Sequence, residues 1–530
     1  MTGAFPHSSL PIEHADPKNH SLSASLSTFK MIHRILPLLL VLLVSRSHAQ
    51  YTIDWSHPAA DTYKVGVMAA RDTADNLIAV GTRSSFFGGA FIFTRKYDKD
   101  GVLLWEQVDT TGIAWLWEQP TWVTTSSTND IYVTGYIYSG TNNIYPDSVV
   151  VLKYDAQGNM QWRRTMGPVY IYGVYVRCVL DANDDLYVGV VGRTSGGFSL
   201  TKYDPNGNML FDVSEANPTA ANLTSMRLKG DRVTLVGGTG SLVRGTVATW
   251  DTSGNFLWSH PVAGYGAQDV EVDDALNTYV LTSYPNLVSP QSDRDMVIKK
   301  FDATGDSITQ YAYDFNGVDQ SIRMTLVNGR LTVIGWGNGT MKWTTFQTDL
   351  SGALQWSVAY DAMASLEEIP GWVVARENGD VFVTGRGGPL YQGQFTQFVT
   401  VKYSNGMQQW AHTDPYSGYR GVACVLGRDS AVYVLGETAM TVTRYIDDLA
   451  TSIDPRTSNT DGSRAYPNPA SDVLLLPHDA RMSGLTATDP MGRTTQVITT
   501  SGRVDVSTWV AGVYTLRTPD GRSFRLVVQH

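Results

Sequence analysis

Three groups of residues in this chain have the types and spacing to do chemistry: loop carboxylates, alternating oxygen ligands and clustered aromatics. Glu118 stands in Trp117-Glu118-Gln119-Pro120, and Glu367-Glu368 precede Ile369-Pro370-Gly371-Trp372. Two carboxylates facing each other across a cleft can hydrolyse a glycoside at the right separation; solvated loop acids are the competing reading. Asp181, Asn183 and Asp185 set oxygen ligands at alternate positions, as calcium loops do, but without the Gly and distal Glu of an EF-hand. They form a weak calcium candidate against a plain Asx-rich turn, and no other metal site is expected. The aromatics Trp115, Trp117, Trp122, Tyr136, Tyr138, Tyr170, Tyr172, Trp336, Trp343, Tyr416 and Tyr419 could stack on sugar rings or anchor a peptide. Packing between sheets is their alternative use.

Other constellations reduce to structure. His57, His260 and His412 each stand two residues after a tryptophan, a repeat position rather than a ligand cluster. Gly237-Gly238-Thr239-Gly240 and the glycines at 335, 337 and 339 read as hairpin residues, because no βα unit follows them. No serine elbow or phosphate loop is visible, so no catalytic residue and no cofactor is expected.

The elements that must position these residues repeat. An Asp-x-x-Gly turn follows a β-rich run and leads into a tryptophan strand at Asp98…Gly101…Trp105, Asp155…Gly158…Trp162 and Asp251…Gly254…Trp258. Weaker copies are Asp204…Gly207…Phe211, Asp302…Gly305, Asp349…Gly352…Trp356, Tyr403…Gly406…Trp410 and Tyr445-Ile446-Asp447. Their spacing of roughly 42 to 57 residues is that of four-stranded propeller blades. In the first repeat the strands are expected at Val65–Arg71, Leu77–Thr82, Phe91–Tyr97 and Leu103–Val108. Ile53-Asp54-Trp55-Ser56-His57-Pro58 reads like Phe256-Leu257-Trp258-Ser259-His260-Pro261. The N-terminal strand is therefore expected to supply the outer strand that the last repeat lacks. The fold class is all-β: an eight-bladed β-propeller over 50–448, seven blades being the alternative, plus a small C-terminal β-sandwich. These repeats resemble the tryptophan-docking repeats of eight-bladed quinoprotein dehydrogenases and related bacterial propellers, without those enzymes' active sites.

Both ends carry signals of a different kind. Residues 1–30 read as a non-native extension. Met31 to Arg34 gives a basic start, Ile35 to Val44 an apolar run, and Ser47-His48-Ala49 small cleavage positions, so 31–49 is expected to be a signal peptide cut between Ala49 and Gln50. The apolar run is too short for a permanent span. Residues 449–464 read as a linker. Beyond it lie Tyr466-Pro467-Asn468-Pro469, Gly492-Arg493, and Gly512 with Tyr514, followed by an apolar end. These blocks resemble the type A sorting domain of the type IX secretion system. The resemblance covers 465–530 and implies a cleavable β-sandwich. It further implies an outer-membrane translocon and a sortase-like peptidase as partners, with release outside the cell or display on the outer-membrane surface.

Composition narrows the partners. The chain carries a net charge of −10, and removing residues 1–49 leaves 36 basic against 48 acidic residues. No basic run is present, which argues against nucleic acid. The two cysteines, Cys178 and Cys424, occupy matching repeat positions on well-separated blades and are expected to be buried free thiols. The resulting expectation is an exported binding module for a glycan or a protein. A polysaccharide-active hydrolase or lyase is the alternative.

Overall fold

The computed structural model describes the chain in two units, Met1–Thr451 and Ser452–His530. In the first, the described residues are 51–57, 64–84, 89–109, 116–139, 148–167, 175–191, 197–215, 222–238, 244–285, 294–337, 342–361, 368–387, 390–391, 394–395, 398–414 and 420–447. In the second they are 473–475, 485–489, 493–497, 503–517 and 523–528.

All regular structure among these residues is β-strand. In the first repeat the strands run Lys64–Arg71, Leu77–Ser84, Ala90–Tyr97 and Leu103–Asp109, antiparallel in chain order. The same four-strand meander recurs along the unit, the signature of a β-propeller. The 64–109 and 116–166 sheets are joined by one parallel bridge, Ala90 to Trp117. Among the described residues no further strand of that repeat follows Gly421–Leu426, Ala431–Gly436 and Val442–Asp447 in sequence order. Its fourth strand is Tyr51–His57, paired antiparallel with Val442–Asp447 from Tyr51↔Asp447 to His57↔Val442.

The Asp-x-x-Gly turns lock neighbouring sheets together. Asp98 Oδ1 accepts the amides of Asp100 and Val102 at 3.0 and 2.8 Å, and Gly101 closes the turn at φ 84°. A Cβ at Gly101 would stand 2.7 Å from the Trp55 ring, so only glycine lets the turn lie flat on that indole. The relation repeats: Gly158 lies on Trp105, Gly207 on Trp162, Gly254 on Phe211, Gly305 on Trp258, Gly352 on Tyr311 and Gly406 on Trp356. Trp105 Nε1 donates to the Ala156 carbonyl at 3.1 Å, and Trp162 Nε1 to that of Pro205 at the same distance.

A lysine before the tyrosine of the third strand adds a second tie. Lys96 Nζ reaches Asp72 at 2.9 Å in its own sheet and the Ala156 carbonyl at 3.1 Å in the next. Lys153 repeats this with Asp130 at 2.8 Å and Pro205 at 2.8 Å. Burial works against ionisation of Asp72, but hydrogen bonds from Lys96 and Asn76 outweigh it and hold the carboxyl below its usual range. Both thiols are free and buried; burial pushes Cys178 up to about 12.

In the second unit Thr494–Gln496, Thr486–Thr488, Gly512–Arg517 and Ser523–Val528 form a four-stranded antiparallel sheet, and Val473–Leu475 pairs with Arg503–Asp505. Leu485, Val504, Tyr514, Leu516 and Leu526 share one core.

Candidate functional site: the inner-strand cavity

The innermost strands of the sheets come together around a cavity, and a recurring irregularity decides which side chains reach it. Register shifts fall between Gly66 and Met68, Pro120 and Trp122, Ser321 and Arg323, and Pro370 and Trp372. An extra residue on one strand of a pair kinks it and re-aims the side chain that follows. Trp122, Arg323 and Trp372 each follow such a shift.

These residues stack on one another. The Trp122 and Trp372 rings lie 5.7 Å apart at 45°. The Arg177 guanidinium sits 4.6 Å over Trp122, and that of Arg323 4.0 Å over Trp372. Cation–π contact of this kind suits the flat, weakly hydrated guanidinium. Arg177 donates from Nε to the Thr224 carbonyl and from Nη1 to that of Thr121, both at 3.2 Å. Burial and the charge of Arg323 pull the Arg177 pKa down, to about 9. The cavity holds about 370 Å³, and Gln119, Tyr136 and Tyr175 complete its wall beside the two stacked pairs. That lies within the ~300–1,000 Å³ usual for small-ligand sites. The Tyr136 hydroxyl donates to Gln119 Oε1 at 2.6 Å. Arg420 and Glu437 pair at 3.1 Å, and both also line this cavity.

A separate cavity of about 470 Å³ is lined by Arg227, Glu271, Asp273 and Leu326. Arg227 reaches Glu271 at 2.9 Å and Asp269 at 3.5 Å. Burial pushes the Glu271 pKa up, and Arg227 opposes it.

The aromatics singled out from sequence divide into groups. Trp122 and Tyr136 line the first cavity. Tyr138 is half-buried with its ring 5.2 Å from that of Tyr136, and Trp117 stands opposite Tyr138 in register. Trp336 is half-buried, paired in register with Trp343. Trp343 is a correction: it is fully buried, edge-on to Tyr360 at 5.3 Å, and serves packing rather than a ligand. Trp115, Tyr170, Tyr172, Tyr416, Tyr419 and Glu367 lie outside the described residues, as do Ala49, Gln50, Tyr466, Pro467, Asn468, Pro469 and Gly492. Of the sorting blocks, Arg493 Nε donates to Asp489 at 2.7 Å. The Tyr514 hydroxyl donates to the Val510 carbonyl at 2.8 Å, and Gly512 begins the strand that carries Tyr514.

Glu118 and Glu368 are not solvated loop acids. Glu118 is on a strand and fully buried, with Arg163 Nη2 at 2.7 Å; Arg163 Nη1 holds Asp109. Burial pushes Glu118 up to about 7; Arg163 opposes this and the neighbouring Asp109 adds to it. Glu368 is also buried. The calcium candidate is a turn: Asp181 Oδ1 accepts the amides of Asn183 and Asp185 at 2.9 and 3.0 Å, and Lys202 takes Asp185 at 2.9 Å and Asp181 at 3.2 Å. His57 and His260 stack on Tyr97 and Phe301, at 5.5 and 5.7 Å, and His412 bonds the Tyr51 hydroxyl at 2.7 Å.

Arg177, Arg323 and Trp372 were absent from the sequence-derived candidates. The lysine tie had a legible signal, the Lys-Tyr pair repeated at 96–97, 153–154, 202–203 and 402–403.

No protein-family profile matches the chain, and no curated protein does. Among solved structures it is similar to the Dos1 propeller, with 12% identity over 75% of this chain and 95% of that one and a TM-score of 0.48. The WD40 β-propeller domain of Doa1 gives 10% identity over 75% and 98%, at 0.40. A virginiamycin B lyase from Staphylococcus aureus, with quinupristin, gives 9% over 75% and 99%, at 0.39. At these values none of them carries an argument about activity.

Proposed function

We propose that the chain is an exported precursor whose propeller is a binding module for a glycan or a protein at the cell surface or outside the cell. Residues 31–49 direct export, and 465–530 act as a cleavable type IX sorting domain, a small sandwich offered to the outer-membrane translocon and a sortase-like peptidase. Residues 50–448 form one ring of eight blades, closed where the N-terminal strand carries Trp55 under the Gly101 turn.

The observation that carries the binding reading is the 370 Å³ cavity, walled by the tilted, neighbouring rings of Trp122 and Trp372 and by tyrosine and arginine side chains. Concave sites with aromatic walls and a few fixed polar groups are where ligands settle. The test is retention of the full chain on a panel of immobilised polysaccharides, with newly formed chain ends measured alongside. Retention without new ends supports a binder. New ends support the hydrolase or lyase alternative, and no retention on any polysaccharide leaves the protein-ligand form to be tried on surface proteins.

A further inference from the structure

The charges around the inner strands do not balance locally. Arg227 answers Glu271 and Asp269, and Arg420 answers Glu437. Arg177 and Arg323 have no carboxylate within ion-pair distance among the described residues. Arg323 makes no hydrogen bond among them either; its guanidinium lies on the Trp372 face. Asp269 is near enough for its charge to act on both, yet its oxygens take the amides of Val270 at 2.9 Å and Met324 at 3.0 Å. Two cations thus face one cavity in a chain whose net charge is −10.

Their geometry selects the ligand. Each guanidinium lies against an indole, so its N–H fork projects edge-on, the arrangement that grips an oxyanion through paired hydrogen bonds. Arg177 commits Nε and Nη1 to carbonyls, which leaves Nη2 for a ligand. Burial of Arg177 strengthens such bonds, because a low local dielectric raises their electrostatic strength. Tyr136, Tyr175 and Gln119 around the same space supply ring edges and hydrogen-bonding groups suited to sugar hydroxyls.

We propose that the cavity takes an acidic sugar, whose oxyanion, a carboxylate or a sulfate, docks between Arg177 and Arg323. This rests on the binding-module reading and names its ligand class. The charge of Arg323, which together with burial lowers the pKa of Arg177, would be offset by the bound anion.

The test is calorimetry on the full chain with three probes: trigalacturonate, its carboxyl-reduced neutral counterpart, and a sulfated galactose trisaccharide. One acidic probe should bind about tenfold or more tighter than the neutral one, the factor a charged hydrogen bond carries. Its affinity should fall as salt rises. Arg323→Gln should abolish that preference with at most a small fall in melting temperature, since the side chain makes no hydrogen bond among the described residues and gives up only its contact with the Trp372 face. Arg323→Lys, which keeps the charge and loses the fork, should recover part of it. Which acidic probe wins distinguishes carboxylate from sulfate. Equal binding of neutral and acidic probes, or an Arg323→Gln variant that keeps the preference, overturns the oxyanion site while leaving a glycan module standing. Binding of none of the three, alongside retention on some other polysaccharide, overturns it as well. A peptide carboxylate that binds where the sugars do not replaces it with a protein ligand.

Discussion

The Trp55 indole lies beneath Gly101, and its Nε1 donates to the Lys99 carbonyl at 2.9 Å, although its strand and the Asp98–Gly101 turn belong to different sheets. Trp105 stands in the same relation to Gly158 and Ala156, and Trp162 to Gly207 and Pro205. The N-terminal strand thus makes the inter-sheet contact that an outer strand makes elsewhere in the chain. Trp55→Ala should cost about 3 kcal/mol. Gly101→Ala should cost more than Gly329→Ala: both have positive φ, at 84° and 68°, but a Cβ at Gly329 meets nothing within 4 Å. Strain alone is about 1–2 kcal/mol. Urea unfolding of the three variants checks this, and equal losses at the two glycines would remove the packing argument.

The Lys96–Asp72 pair is almost fully buried. Lys96→Met leaves the Asp72 carboxylate without its cation and should destabilise by about 3–5 kcal/mol. Adding Asp72→Asn keeps an oxygen for the amides of Ala74 and Asn76 and removes the stranded charge. The double variant should therefore be more stable than Lys96→Met alone. A double variant that is less stable would show that the lysine acts through packing of its stem.

Glu118 gives the fold a pH dependence of known sign. Its pKa rises from 4.5 to about 7 on folding, because burial disfavours the carboxylate. The folded state binds the proton more tightly, so this stabilisation is full below about 4.5 and fades as pH rises through about 7. Asp109, Arg163 and Tyr154 are the titratable groups that share its surroundings. Glu118→Gln should narrow the gap in melting temperature between pH 5 and pH 8.5. An unchanged gap would assign the dependence to other groups.

Trp122 and Trp343 were equivalent candidates in the sequence and separate in the structure. Trp343→Leu should lower stability by about 2–4 kcal/mol and leave ligand affinity alone, since the ring is enclosed between sheets. Trp122→Leu should weaken binding with a smaller stability loss, because the ring is only half-buried. Denaturation and retention measured on both variants decide the assignment.

The C-terminal unit has its own test. A chain ending at Arg464 should still lose its N-terminal segment and then accumulate between the two membranes of a host with type IX secretion. Appearance of that shortened chain outside the cell would remove the sorting role from 465–530.

How much of this the sequence revealed follows from range. The turns were legible because Asp and Gly act within four residues, and their tryptophans because indoles follow at a fixed offset. Tyr311 was missed: it follows Gly305 by six residues where Trp258 follows Gly254 by four, so the offset fails although Gly352 still rests on its ring. The cavity was only half legible. Trp122 and Tyr136 stood out as aromatics, but Arg177, Arg323 and Trp372 come from separate sheets. Two of those three follow bulges that shift the alternation a reader would count. Glu118 misled because Trp-Glu-Gln-Pro has the composition of a loop, and only the fold brings Arg163 and Asp109 against it.

The central claim is that a ligand is held by the inner strands rather than by the turn face. Hydrogen exchange of the full chain, with and without a fragment of a retained polysaccharide, addresses it most directly. The account predicts added protection in 117–123 and 369–373, with none at the Asp98–Gly101 and Asp155–Gly158 turns. Protection confined to those turns, or to the Ser452–His530 unit, would contradict it.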